Sequence, residues 1–211
     1  LSKIAIERFK GGYAPYHIND FKNSCIFIHI PKTGGNSISK ALFGSGLSHR
    51  KLVYFKIFDK EKFEKYYKFS FVRNPWDRIV SGFFFLKQGG KHKTDQKWAE
   101  EYLKKYDNFQ TFVRALQKKK TRFHVLNHTH FRPQHEFICD KDGQIMVDFL
   151  GYFENINNDF NQICKTLNIS AELDHANKSN RKKYYDYYNQ ETKEIVASIY
   201  QEDIKIFKYN F

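Results

Sequence analysis

Residues 25–37, CIFIHIPKTGGNS, constrain the fold more than any other stretch of the chain. Cys25 to Ile30 is a short run of apolar, β-branched and aromatic residues, the pattern of a buried strand. Pro31 has no N–H to give to a ladder and ends it. Gly34 and Gly35 let the backbone turn tightly and come close to a ligand. Asn36 or Ser37 is placed to cap a helix of roughly Ser37 to Phe43, which Gly44 closes. Strand, glycine loop and helix N-terminus together make an anion cradle. Backbone N–H groups and the positive end of the helix dipole face the ligand, and Lys32, Thr33 and Ser37 add a charge and hydroxyl donors. This is not a Walker A loop, G-x-x-x-x-G-K-[ST], in which the lysine follows the last glycine. Here Lys32 precedes both glycines, so the geometry must differ. Alone, the loop is also compatible with a plain tight βα turn.

A second loop of the same build answers that alternative. Phe69 to Val72 is another short apolar strand, followed by Arg73-Asn74-Pro75-Trp76-Asp77-Arg78. Asn74 is a good N-cap, Pro75 occupies the favoured first helical position, and Asp77 adds negative charge in the first turn. The helix is expected from Pro75 to Leu86, with a stop near Gly89-Gly90. Arg73 at the strand end and Ser81 on the helix are a fork donor and a hydroxyl that could meet on one phosphate. Arg78 lies three residues before Ser81, on the same helical side.

IPKTGGNS followed by FVRNPWDRIVSGF resembles the two nucleotide-binding motifs of the sulfotransferases that use 3′-phosphoadenosine 5′-phosphosulfate (PAPS). The likeness is nearest to the carbohydrate sulfotransferases of the heparan 2-O and chondroitin type, including short bacterial relatives. The resemblance implies a 5′-phosphosulfate site at Lys32, Thr33, Gly34, Gly35, Asn36 and Ser37. It implies a 3′-phosphate site at Arg73 and Ser81. Asn36 stands where the family commonly has a small hydroxyl residue, and it can still cap and donate. HFRPQ, VDFLGYFEN and the closing DIKIFKYNF are similar to later, less specific landmarks of the family, so the likeness runs along nearly the whole chain.

Composition agrees with an enzyme of this kind. The chain has 211 residues, enough for a sizeable core, and is 41% hydrophobic with 22 Phe and 14 Tyr, which excludes a disordered protein. It is expected to be one domain over 1–211, with 1–24 as a surface lead-in. A formal charge of +13 implies an anionic partner. Nucleic acid would satisfy that charge, and so would an anionic nucleotide donor with an acidic polysaccharide. Three cysteines without paired spacing argue against a disulfide framework. No apolar run is long enough to span a bilayer and LSKIAIERFKGG lacks a signal-peptide core. A cytoplasmic bacterial enzyme is therefore expected, the alternative being a Golgi-lumen catalytic domain without its anchor. The first residue is Leu1, which leaves room for an upstream segment, and no feature fixes the oligomeric state.

Further along, Phe58 to Tyr67 reads as a helix, and QGGKHKTDQ at 88–96 as an exposed basic loop suited to a lid or acceptor contact. Helices are expected at Gln96–Tyr106 and at Phe109–Lys118, the latter ending in Lys118-Lys119-Lys120, which would complement its dipole. Glu136 to Cys139 and Gln144 to Phe149 read as strands joined by the turn Asp140–Gly143. A helix capped by Asn157 should run to Leu167, and one last helix from Glu191 to about Lys208. Lys178 to Lys183 is a basic loop. Arg181, Lys182 and Lys183 could close over the nucleotide or hold an acidic acceptor, and Arg132 and Gln134 are candidates for acceptor contact.

Sulfuryl transfer asks a protein for a cation at the leaving phosphate, donors around the sulfonate and a base for the acceptor hydroxyl. Lys32 is the expected cation, and the N–H groups of Thr33 to Gly35 the donors. In the family's eukaryotic members the base is a histidine between the two nucleotide motifs, and the resemblance puts it at His49. His130 in HTHFRPQ is the alternative, ahead of His128 and His135, and a carboxylate remains open. The spacing of His124, His128, His130 and His135 fits no standard zinc set, so no metal is expected. The expected fold is α/β: a P-loop-like, short, mainly parallel sheet flanked by helices. The expected reaction moves sulfonate from PAPS to a hydroxyl of a carbohydrate. The rivals are an ATP-using P-loop-like kinase, which lacks its Walker A motif and a clear Mg²⁺-holding acid, a basic nucleic-acid-binding module, and a nucleotide-binding relative without activity.

Overall fold

The computed structural model describes residues 16, 24–174 and 181–211. Most of the expected lead-in, and residues 178–180 of the basic loop, lie outside the described residues. The elements run β1 (Cys25–Ile28), α1 (Gly35–Phe43), α2 (Leu52–Phe58), α3 (Lys60–Lys65), β2 (Tyr67–Val72), α4 (Pro75–Lys87), α5 (Lys93–Tyr102), α6 (Phe109–Ala115), α7 (Lys119–Asn127), α8 (His135–Ile138), β3 (Phe149–Tyr152), α9 (Ile156–Leu167), α10 (Gln190–Ile199) and α11 (Gln201–Phe207). Short 3₁₀ turns occupy Phe153–Asn155 and Tyr184–Tyr187. The architecture is α/β, a small three-stranded parallel sheet flanked by helices. The chain divides into two compact units, one from Leu1–Val72 with Gln134–Lys178 and one from Arg73–Pro133 with Ser179–Phe211.

The first unit holds the sheet, in the order β1-β2-β3. Phe27 pairs with Phe69, and Phe69 with Phe149, so aromatic residues share one face of adjacent strands. The Phe27 and Phe69 rings stack with centroids 4.9 Å apart. Ile38, Leu42 and Phe43 of α1 and Phe160, Ile163 and Cys164 of α9 cover that face. Ile26, Ile28 and Val72 alternate to the other face and are buried as well, which is why β1 reads as an unbroken apolar run. Cys25 is strand core, and none of the three cysteines is in a disulfide. Parallel pairing brings the C-terminal ends of the strands to one edge of the sheet, and the PKTGG loop leaves β1 from there.

The second unit is helical. Trp76, Ile79, Val80, Phe83 and Leu86 of α4 pack with Phe112 and Val113 of α6, with Phe131, and with Val196 and Tyr200. Asn74 caps α4 as expected, its Oδ1 accepting from the N–H groups of Trp76 and Asp77. Arg78 is inside this unit rather than on an open face of α4, and burial lowers its pKa against the opposing fields of Tyr200 and Asp203.

Several local expectations are corrected. Residues 135–138 form one helical turn rather than a strand, with Phe137 and Ile138 buried. Only a single antiparallel bridge, Cys139 to Ile145, closes the Asp140–Gly143 turn, and the strand comes later, at β3. The expected helix 58–67 is interrupted by Asp59, whose carboxylate accepts from Lys62 N and opens α3 after α2 has ended. Helix α5 starts at Lys93 rather than Gln96. Helix α6 ends at Ala115, and Lys118 is the N-cap of α7, so the lysine run opens a helix and opposes its dipole. Helix α9 starts at Ile156, before the Asn157 expected as its cap. The last helix breaks at Tyr200, which is turned inward and donates to the Phe131 carbonyl at 2.6 Å.

Candidate active site

In the first unit, the chain after β1 makes the anion-cradle geometry and refines it. Lys32 has φ 70°, a left-handed conformation unusual for a residue with a Cβ. Thr33 is buried, and its hydroxyl donates back to the Ile30 carbonyl at 2.8 Å, pinning the turn. Gly34, at φ 80°, is itself the N-cap of α1, and neither Asn36 nor Ser37 caps it. No side chain caps this helix and no acid stands in its first turn. An uncapped, acid-free N-terminus of nine residues' helix is suited to an anion. Asn36 is exposed and Ser37 half-buried.

Both glycines are also required by packing. A Cβ on Gly34 would stand 2.4 Å from Ile156 Cδ1, and one on Gly35 would stand 2.1 Å from Cδ2 of His29. His29, which carries no motif of its own, packs against this loop. It is buried, its Nδ1 is 3.2 Å from the Leu47 carbonyl, and its ring stacks on Phe27. His49 packs against it, ring centroids 4.3 Å apart, with His49 Nδ1 3.1 Å from the His29 carbonyl oxygen. A carbonyl only accepts, so Nδ1 carries the proton in both rings and Nε2 carries the lone pair of the neutral imidazole. For His49 that is the tautomer and orientation a general base needs, with a backbone carbonyl as the orienting group. The only advance signal of His29 was its place two residues before the PKTGG loop.

In the second unit, Arg73 follows β2 directly and is not an open donor. Its Nε donates to Asp77 Oδ2 at 2.8 Å and its Nη2 lies 2.7 Å from the same oxygen. Arg181 Nη2 donates to the other oxygen, Asp77 Oδ1. Ser81, half-buried, stands one helical turn beyond Asp77 on the same side of α4. An open cleft of about 450 Å³ is lined by Asp77, Arg181, Lys182, Lys183, Tyr184 and Tyr185.

His130 is in this second unit too, buried against Phe85, with Nε2 3.6 Å from Asp95 Oδ1. Asp95 in turn accepts from the N–H groups of Lys91 and His92, tying down the basic 88–93 loop. His128 packs closely against Trp98, the rings tilted with centroids 4.1 Å apart, and burial lowers its pKa to about 4, outweighing the field of Asp95. The unfolded chain therefore takes up a proton at His128 near pH 6.5 that the folded chain refuses until about 4. This group's contribution to stability is whole above pH 6.5 and disappears as pH falls towards 4. His128→Gln is expected to flatten the fall of melting temperature across that window in a thermal-shift series. Gln134 is buried, and Arg132 Nη2 donates to the Asn127 carbonyl at 3.0 Å. Among the described residues no group of three or more His, Cys, Asp and Glu is placed to hold a metal ion, and no helix is long and apolar enough to cross a membrane.

Comparison with known proteins assigns this arrangement to a class. The sequence model of the sulfotransferase family matches residues 16–210, and the chain belongs to that family, whose members transfer sulfonate to an acceptor. An uncharacterized protein of Archaeoglobus fulgidus is 29% identical over 115 residues, 54% of this chain and 78% of its own length. No solved structure matches the chain.

Proposed function

We propose that the protein transfers the sulfonate of PAPS to a hydroxyl of a carbohydrate, an acidic polysaccharide or glycan fitting its charge of +13 best. The family match over 16–210 reaches into both units, and we take them as one sulfotransferase domain. The observation that carries the reading is the loop of Lys32 to Gly35, opening a helix without a side-chain cap, with His49 held in its base tautomer in the same unit. Lys32 and the N–H groups of Thr33 to Gly35 take the charge that grows on the leaving phosphate and the sulfonate. Arg73, Ser81 and Arg181 bind the 3′-phosphate. As the acceptor oxygen forms its bond to sulfur, the bond from sulfur to the 5′-phosphate oxygen breaks. His49 Nε2 removes the acceptor proton, and 3′,5′-adenosine bisphosphate leaves. Donors and cations from the chain suffice for this charge, and the reading assigns no metal.

Radiolabelled PAPS, incubated with a uronic-acid-containing polysaccharide, should label the polymer. His49→Ala should lower kcat by about 100- to 10,000-fold, the range of a general base. Affinity for 3′,5′-adenosine bisphosphate should be retained. Unchanged labelling by the variant would remove His49 from the mechanism and put His130 in its place.

A further inference from the structure

Asp77 holds two arginines at once. Its Oδ2 takes Arg73 and its Oδ1 takes Arg181. The side chains of Arg73, Asp77 and Arg181 are only 9%, 15% and 13% exposed, so little water screens them. One carboxylate between two guanidiniums leaves the trio at net +1, and Lys182 and Lys183 in the same cleft add to it. A guanidinium has five N–H donors, and Arg181 meets Asp77 through its Nη2. The Nε of Arg181 is buried with no hydrogen-bond partner, a donor that is costly to leave unfilled. Without Asp77, two like charges would share a half-dry pocket and push apart.

We propose that Asp77 is a positioning residue for the 3′-phosphate of the nucleotide. It holds Arg73 and Arg181 as a preassembled fork, so that a phosphate dianion meets two aligned guanidiniums without first overcoming their repulsion. The ligand class is a phosphate monoester rather than the diester of a nucleic acid backbone, because the net positive charge and the unfilled Nε of Arg181 match a terminal dianion. This rests on the PAPS reading above. The sequence shows only the helix-dipole role of Asp77 at the start of α4. The two arginines, distant in sequence, meet only in the fold.

The test is calorimetric titration of the full chain with 3′,5′-adenosine bisphosphate and with adenosine 5′-monophosphate. Wild type, Asp77→Asn and Asp77→Glu are compared. Wild type should prefer the bisphosphate. Asp77→Asn should lose about 10- to 100-fold of bisphosphate affinity, the worth of one or two charge-assisted hydrogen bonds, with monophosphate affinity little changed. Asp77→Glu should recover part of the loss. The ratio of the two affinities, taken on one sample, is insensitive to any loss of folded protein. A merely structural Asp77 would therefore leave the ratio where it was. A preference kept or raised in Asp77→Asn overturns the proposal and leaves the donor reading standing. Wild type without any preference overturns both.

Discussion

Replacing Lys32 by alanine is expected to lower kcat for sulfonate transfer by about 100- to 1000-fold, the size of losing one group aimed at developing charge. Alanine keeps the Cβ, so the left-handed backbone at φ 70° is equally unfavourable in both proteins and the change isolates the ammonium. The melting temperature should therefore hold while activity falls. Lys32 holds a left-handed conformation that a glycine would adopt without strain, so the side chain is present at a backbone cost. Steady-state kinetics beside a thermal melt is the check. A variant that keeps its activity would move the leaving-group cation elsewhere.

Gly35→Ala is expected to be the most damaging single methyl in the loop. The new Cβ would lie 2.1 Å from Cδ2 and 2.3 Å from Nε2 of His29. That ring is not a flexible tip. It is buried, stacked on Phe27, bound through Nδ1 to the Leu47 carbonyl and packed against His49. The ring or the start of α1 must shift, at about 3 kcal/mol, near the upper end of the usual overpacking cost. In a chain of this length that is a fall of about 6–12 °C in melting temperature. Activity should fall further than stability accounts for, because the His29 carbonyl orients His49. Gly46→Ala is the control: a Cβ there meets nothing within 4 Å and φ is not positive, so both readouts should hold. Equal melting temperatures for the two variants would show that His29 yields freely.

The strand–loop–helix at 25–43 was legible because it is written locally. An apolar run, a proline and two glycines within a dozen residues leave few other conformations. The same holds for α4, where Asn74 caps through its own side chain and Pro75 sits first in the helix. What the sequence did not carry was the choice among neighbouring caps. Asn36 and Ser37 have better capping side chains than Gly34, yet the close approach of Ile156 and Phe153 admits only a residue without a Cβ there, and φ 80° suits it. The break at Tyr200 was hidden for a similar reason. The inward-turned Tyr200 at the break is tied to the Phe131 carbonyl, 69 positions away, and helical periodicity reads straight through it.

The proposed site residues divide along the same line. Lys32 to Ser37, Arg73 and Ser81 are found by motif, since each belongs to a strand end or the helix that follows it. His29 and the role of Asp77 are not. Position 29 reads as one more strand residue until the fold lays its ring under Gly35. Asp77 reads as a helix-dipole acid until the chain returns with Arg181. The lysine run at 118–120 shows the opposite failure, in which a charge pattern with a sound local rationale at a helix end is overruled by where α6 stops.

The most direct test of the nucleotide reading is a calorimetric comparison of 3′,5′-adenosine bisphosphate with adenosine 5′-monophosphate on wild type and Arg73→Ala. Tight binding that requires the 3′-phosphate, and that is lost with Arg73, is the predicted result. Equal binding of the two nucleotides by wild type, or binding of neither, would contradict it.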